Sequence, residues 1–223
     1  MPALPSIQGL LFDLDGTLVD TAPDLIQALY LALAQFQLPC LADEATLTSV
    51  ASHGSLGLVK TAQPQQTAEM TETLRLALLD HYHTVNGDAA KLFDGIAELL
   101  AFANKQHLKV GVVTNKPARF TRPLLQKLGL TPQLHSIISA DSTRFRKPDV
   151  QPMLLAAQQL QLPTNNILYL GDAERDIVAA KNSAMPSAVA LWGYLAETDR
   201  PEAWGADIAL QQPTELLGIL SGF

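Results

Sequence analysis

The stretch Ile7-Gln8-Gly9-Leu10-Leu11-Phe12-Asp13-Leu14-Asp15-Gly16-Thr17 decides how the rest of the chain is read. Ile7 to Phe12 is a short, mostly apolar run that stops at two carboxylates. Runs of this kind are usually strands buried on both faces, as in a parallel sheet. Asp13 and Asp15 are two residues apart, so in an extended chain they share a face, and Gly16 permits a turn after them.

Working outward, the pattern after Thr17 is helical. Thr21-Ala22-Pro23-Asp24 reads as a helix start, with Thr21 as cap and Asp24 at the positive end. Leu25, Ile26, Leu29, Leu33 and Phe36 continue at helical spacing, and further helices are predicted over Asp43–Val50, Leu56–Ala62 and Pro64–Tyr82. No strand is predicted between residues 20 and 90. After Gly87 the pattern alternates. Helices are predicted around Ile96–Ala103, Arg119–Leu128, Val150–Leu160, Ala173–Ser183 and Glu215–Leu220. Between them lie strands at Val110–Val113, Ile137–Ile138, Ile167–Leu170, Ser187–Leu191 and Ile208–Leu210. The predicted fold class is α/β, a parallel sheet core with helices on both faces. About 70 helical residues separate the first strand from the others, which predicts an inserted all-helical domain at 20–87 within a core of 1–19 and 88–223.

Composition narrows the function classes. The chain has 223 residues, 48% of them hydrophobic and 17% charged, with a net charge of −7. No segment concentrates Lys and Arg, so no nucleic-acid partner is expected. No apolar run reaches the length of a membrane span, so no membrane partner is expected. Met1-Pro2-Ala3-Leu4-Pro5-Ser6 lacks the basic and apolar segments of a signal peptide, and the single cysteine, Cys40, fits a reducing compartment and a packing role. The expected location is therefore the cytoplasm, as a monomer or homodimer.

Polar residues recur where the predicted strands end. Asp13 follows the first strand, Thr114 closes Val110–Val113, and Gly171-Asp172 closes Ile167–Leu170. Ligands bind beyond the carboxyl ends of strands in open α/β sheets, so these groups should meet in one crevice, joined by Lys147 from a loop. A carboxylate can attack phosphorus to give an aspartyl-phosphate, which assigns Asp13 as nucleophile. A second carboxyl, Asp15, can protonate the leaving alkoxide and then take a proton from water. Thr114 and the groups after it, Asn115 included, would hold phosphate oxygens, and Lys147 would add positive charge. Mg²⁺ suits such an oxygen-rich site, with Asp13, Asp172 and the backbone carbonyl of Asp15 as ligands and Asp176 holding metal-bound water. The five histidines show no ligand spacing and are expected to be structural or exposed.

The segment Leu10 to Asp20 resembles the first signature of the haloacid dehalogenase superfamily. Val112-Val113-Thr114-Asn115 is similar to its second, Lys147-Pro148 to its third, and Gly171-Asp172 through Asp176 to its fourth. The resemblance implies a Rossmann-like core with the first strand central, a helical cap between the first and second signatures, and the residue roles just given. Asp15 sets the chain apart from the dehalogenase and phosphonatase branches. Leu25 and Thr17 set it apart from the phosphomutase branch, which has a histidine twelve residues after the nucleophile and tends to have Val in place of Thr. What remains is a phosphatase acting on a small phosphorylated metabolite; a mutase and a non-catalytic phosphate-binding protein are the weaker alternatives. Val113-Thr114-Asn115-Lys116-Pro117 is similar to the phosphoglycolate phosphatases. Lys91 to Gly95, Lys116 to Phe120, Trp192-Gly193-Tyr194 and Trp204 to Asp207 resemble the N-acetylmuramic acid 6-phosphate phosphatases. The loop Ser52-His53-Gly54-Ser55 is expected to face the active site, and hinges are expected near Val19-Asp20 and Gly87-Asp88.

Overall fold

The computed structural model describes residues 6–220; the N-terminal residues 1–5 lie outside the described residues. The elements run β1 (Gly9–Phe12), β2 (Val19–Asp20), α1 (Ala22–Gln35), α2 (Glu44–Ser49), α3 (Gly54–Ala62), α4 (Ala68–Val85) and β3 (Lys91–Leu92). Then come α5 (Ile96–Lys105), β4 (Lys109–Val113), α6 (Ala118–Lys127), β5 (Ser136–Ile138), α7 (Gln151–Leu160), β6 (Ile167–Gly171), α8 (Glu174–Asn182), β7 (Ser187–Ala190), β8 (Ile208–Leu210) and α9 (Glu215–Leu220). Six strands form one sheet in the order β5-β4-β1-β6-β7-β8, and every pairing in it is parallel. β1 therefore sits between β4 and β6, with its carboxyl end in the middle of the sheet.

Period-2 alternation along β1 sends its side chains to two cores. Leu10 and Phe12 pack with Val110, Val112, Leu168 and Leu170 beneath α5, α6 and α9, through Leu99, Leu124 and Leu216. Leu11 points the other way, with Val113 and Tyr169, against Met153 of α7 and Ala179 of α8. Both faces are covered, which explains the unbroken apolar run. Ile7 was expected in this strand, but the strand proper begins at Gly9.

Helices α1 to α4 build a separate cluster around Leu25, Leu29, Leu33, Leu58, Leu74 and Leu78, with Cys40 packed at its margin. The α1·α4 contact is the most extensive between any two elements. Two details differ from expectation. The helix predicted from Pro64 starts at Ala68, where Thr67 caps it by accepting from Met70 N–H. Thr21 does not cap α1; its hydroxyl donates to Asp15 instead.

The two crossings between the helical segment and the sheet lie side by side. Val19 pairs with Leu92 and Asp20 with Lys91, an antiparallel pair too short to show in a hydrophobic pattern. Asp24, expected only to favour the positive end of α1, does more. Its buried carboxylate accepts from the N–H groups of Gly87, Ala89 and Ala90 at 2.7–3.2 Å. From the other side, Tyr194 Oη accepts from the N–H groups of Thr21 and Ala22 and donates to Asp20 Oδ1. No helix among the described residues is long and apolar enough to cross a membrane.

Candidate active site

The carboxyl ends of β1, β4 and β6 bring Asp13, Thr114 and Asp172 to one place, as their positions after those strands predict. Asp13, Thr114, Lys147, Asp172 and Asp176 are all buried. A cavity of about 700 Å³ opens above them, lined by Asp13, Asp15, Thr114, Asn115 and Lys147 from the core side. Ser52, His53, Arg75 and Tyr82 line it from the helical side. His53, expected to be structural or exposed, is thus part of the cavity wall.

Lys147 organises the floor. Its Nζ lies 2.9 Å from Asp13 Oδ1 and 2.7 Å from Asp176 Oδ1, and it donates to Val113 O and Tyr169 Oη. A buried ammonium needs this many oxygen partners to offset its lost hydration. Asp13 Oδ1 also accepts from Leu14 N–H. Asp13 Oδ2 is more open, with the Arg175 guanidinium 4.0 Å away. Asp176 holds Lys147 with one oxygen and caps α8 with the other, accepting from Ala173 N–H. Asp176, expected to hold metal-bound water, thus caps a helix and pairs with Lys147.

Asp15 stands apart from this cluster. Its Oδ1 accepts from Thr21 Oγ1 at 2.6 Å and from Lys116 Nζ at 2.8 Å. Asn115 donates to Lys147 O, tying the second signature to the third, while its Oδ1 is buried without a hydrogen-bond partner among the described residues. Thr114 Oγ1 accepts from Lys116 N–H, a turn that aims the loop beyond β4 at the cavity.

Asp172 is confined. Gly16 has φ +85°, and a Cβ there would lie 2.0 Å from Asp172 Oδ2; a Cβ on Gly193 would lie 2.3 Å from Asp172 Cβ. Only residues without side chains fit on either side of this carboxylate. Its Oδ2 accepts from Ser52 Oγ at 2.8 Å and from Tyr194 N–H at 3.0 Å. Ser52 comes from the helical segment, so the loop expected to face the site touches one of its acids directly.

Asp13, Asp172 and Asp176 can place one oxygen each within 4.8 Å of one another. Burial, together with the charges of Asp13 and Asp176, pushes the Asp172 carboxyl up to about 7. Hard oxygen donors crowded at this spacing fit a small divalent cation such as Mg²⁺. The Asp15 carboxylate, expected near the metal, is outside this group.

The raised Asp172 pKa has a measurable sign. In metal-free protein the folded state retains a proton that the unfolded chain releases near pH 4. This contribution to stability is complete at low pH and is lost as pH rises through about 7. Asp172→Asn removes the like-charge conflict. In chelator its melting temperature is expected to match wild type only below about pH 4, to gain on it from there to pH 7, and to exceed it by at least about 3 °C at pH 8. Thermal melts across that range check it; an advantage that shrinks with rising pH contradicts the arrangement.

Several contributors were not singled out from sequence. Lys116 sits inside a quoted motif but shows its pairing only in three dimensions. Arg75, Leu79 and Tyr82 recur at helical spacing, i, i+4, i+7, a signal present in the sequence but equally typical of a core face. Tyr194 also lies inside a quoted stretch, but its role depends on where the chain returns after β7.

Comparisons with known proteins agree with this picture. The family model for haloacid dehalogenase-like hydrolases matches residues 10–190. An N-acetylmuramic acid 6-phosphate phosphatase from Pseudomonas putida is 39% identical over 217 residues, covering 96% of both chains. A phosphoglycolate phosphatase from Xanthomonas campestris is 37% identical over 209 residues, covering 94% of both. The crystal structure of a predicted phosphoglycolate phosphatase from Haemophilus somnus has the same fold. Its TM-score is 0.85 at 24% identity, over 97% of this chain and 99% of that one.

Proposed function

Because the chain belongs to the haloacid dehalogenase-like hydrolases and is a phosphoric monoester hydrolase, we propose that it releases phosphate from a small metabolite through an aspartyl-phosphate on Asp13. The observation that carries this reading is the asymmetry of Asp13 on the cavity wall: Oδ1 is held by Lys147 and Leu14 N–H, while Oδ2 has no hydrogen-bond partner among the described residues and the Arg175 guanidinium 4.0 Å away.

In this mechanism Asp13 Oδ2 attacks phosphorus and the phosphorus–oxygen bond to the alcohol breaks. Asp15 gives its proton to the departing oxygen, so the alcohol leaves neutral. Asp15 then takes a proton from water as that water attacks phosphorus, which releases inorganic phosphate and restores Asp13. Thr114 and Asn115 hold phosphate oxygens, Lys147 orients Asp13, and Asp176 holds Lys147. Mg²⁺, held by Asp13, Asp172 and the Asp15 carbonyl, would supply the charge that lets a phosphate dianion approach these acids.

We treat residues 20–87 as a cap over a core of 1–19 and 88–223, opening to admit substrate and closing to exclude water. The single cysteine supports a cytoplasmic setting.

The named substrates of the similar proteins set the test. Phosphate release should be measured with phosphoglycolate, N-acetylmuramic acid 6-phosphate and common sugar phosphates, and ranked by kcat/KM. Phosphoglycolate is expected to lead the ranking, and all turnover is expected to stop in chelator. Release that is indifferent to Mg²⁺ contradicts the proposal, and a lead for the muramic acid ester moves the substrate to that named for the Pseudomonas putida relative.

A further inference from the structure

Besides Lys147 and Arg175 beside Asp13, the cavity wall carries Arg75, Lys116 and Arg146, and the mechanism uses none of these three. Lys116 comes two residues after Thr114, on the loop assigned to phosphate, but its side chain leaves that loop toward the helical segment. Its Nζ is 2.8 Å from Asp15 Oδ1 and 4.6 Å from the centre of the Tyr82 ring of α4. Burial works against its charge, yet Asp15 and Tyr82 outweigh burial and hold its pKa above the usual lysine range. The residue is thus a fixed cation, 8% exposed, at the edge of a cavity. An ammonium has three donors, and the ion pair with Asp15 uses one. The nucleophile has its own cations in Lys147 and Arg175, so Lys116 is free of that task.

We propose that Lys116 is a specificity-determining residue: it binds an anionic group carried by the alcohol part of the substrate, close to the ester oxygen. This rests on the phosphatase reading, with Asp15 placed at that oxygen. A hydrogen bond from the Asp15 carboxyl to the ester oxygen spans about 2.8 Å, and the two oxygens of the carboxyl are about 2.2 Å apart, which puts Lys116 Nζ within about 8 Å of the ester oxygen. A carboxylate on the carbon next to the ester carbon falls inside that reach. For a remote anion the cavity offers a different cation, Arg75, seven residues before Tyr82 and so about 10 Å further along α4. Arg75 is engaged by Glu72 through two hydrogen bonds of 2.6 Å. Exchange of the Lys116–Asp15 pair for a Lys116–substrate pair also releases Asp15 toward the ester oxygen.

The test compares phosphoglycolate with hydroxyethyl phosphate, its neutral analogue of equal length. Wild type is expected to favour the acid by at least about tenfold in kcat/KM, the worth of one charge-assisted hydrogen bond. In Lys116→Met that preference should shrink to within about threefold of unity, chiefly through the KM of the acid ester. Lys116→Arg should keep a preference above about threefold, because it keeps the cation. The proposal is overturned if Lys116→Met keeps the full preference, or if the preference falls only in Arg75→Met. Should Lys116→Met not fold, inhibition of wild type decides. Free glycolate is expected to inhibit at least about tenfold better than ethylene glycol, and equal inhibition overturns the proposal. Absence of phosphate release from every ester, p-nitrophenyl phosphate included, defeats the phosphatase reading and this proposal with it. Equal turnover of the acid and neutral esters defeats this proposal alone.

Discussion

Asp13→Asn is expected to lower kcat for phosphate release by at least about 10⁴-fold while the protein stays folded. An amide cannot attack phosphorus, and the other carboxylate lining the cavity among the described residues, Asp15, is tied to Thr21 and Lys116. Folding survives because Lys147 keeps Asp176, Val113 O and Tyr169 Oη as partners when the Asp13 charge is removed. Phosphate release and a urea titration on the same preparation separate the two effects. Retention of more than about a hundredth of wild-type kcat would falsify Asp13 as nucleophile.

Lys147→Met carries the largest expected loss of stability. The side chain is fully buried, and its ammonium is the one charge set between the Asp13 and Asp176 carboxylates. Removing it leaves both acids buried beside Asp172 without that charge, at a cost of about 3–5 kcal/mol. Activity is expected to vanish as well. The double variant Lys147→Met/Asp176→Asn should recover at least about 1 kcal/mol relative to Lys147→Met, since it deletes one of the stranded charges. Additive losses in the two variants contradict the coupling drawn between these residues. The urea midpoint and slope report it, with an unchanged slope showing that the folded state is the same.

Most of the core could be read from the chain because its strands are buried on both faces. An apolar run bounded by turn residues has few other readings, and β1, β4 and β6 all end within a residue of where the pattern stops. The residues at those ends were legible for the same reason: polar groups just past a buried strand have one place to go. Boundaries set by side-chain hydrogen bonds were less legible. Thr21 was expected to cap α1 but faces Asp15, and Pro64 was expected inside a helix that Thr67 starts later. Thr21 had two satisfactory partners, and only the folded arrangement selects between them. Contacts between the helical segment and the core were the least legible. Ser52 on Asp172, Lys116 against Tyr82 and Tyr194 on the start of α1 join parts of the chain far apart in sequence. No periodicity encodes such pairs.

The paired crossings at Val19–Leu92 and Asp20–Lys91 bear on how such an enzyme diversifies. Because the helical segment leaves and rejoins the core through one separate two-stranded ladder, its length and sequence can change without shifting the register of any core strand. The Asp24 carboxylate travels with the segment, yet it grips the returning chain at Gly87, Ala89 and Ala90. A transplanted segment that keeps this grip brings its own closure with it. Substrate range can then drift through exchange of one cassette, while the phosphoryl-transfer residues beneath stay under a separate constraint.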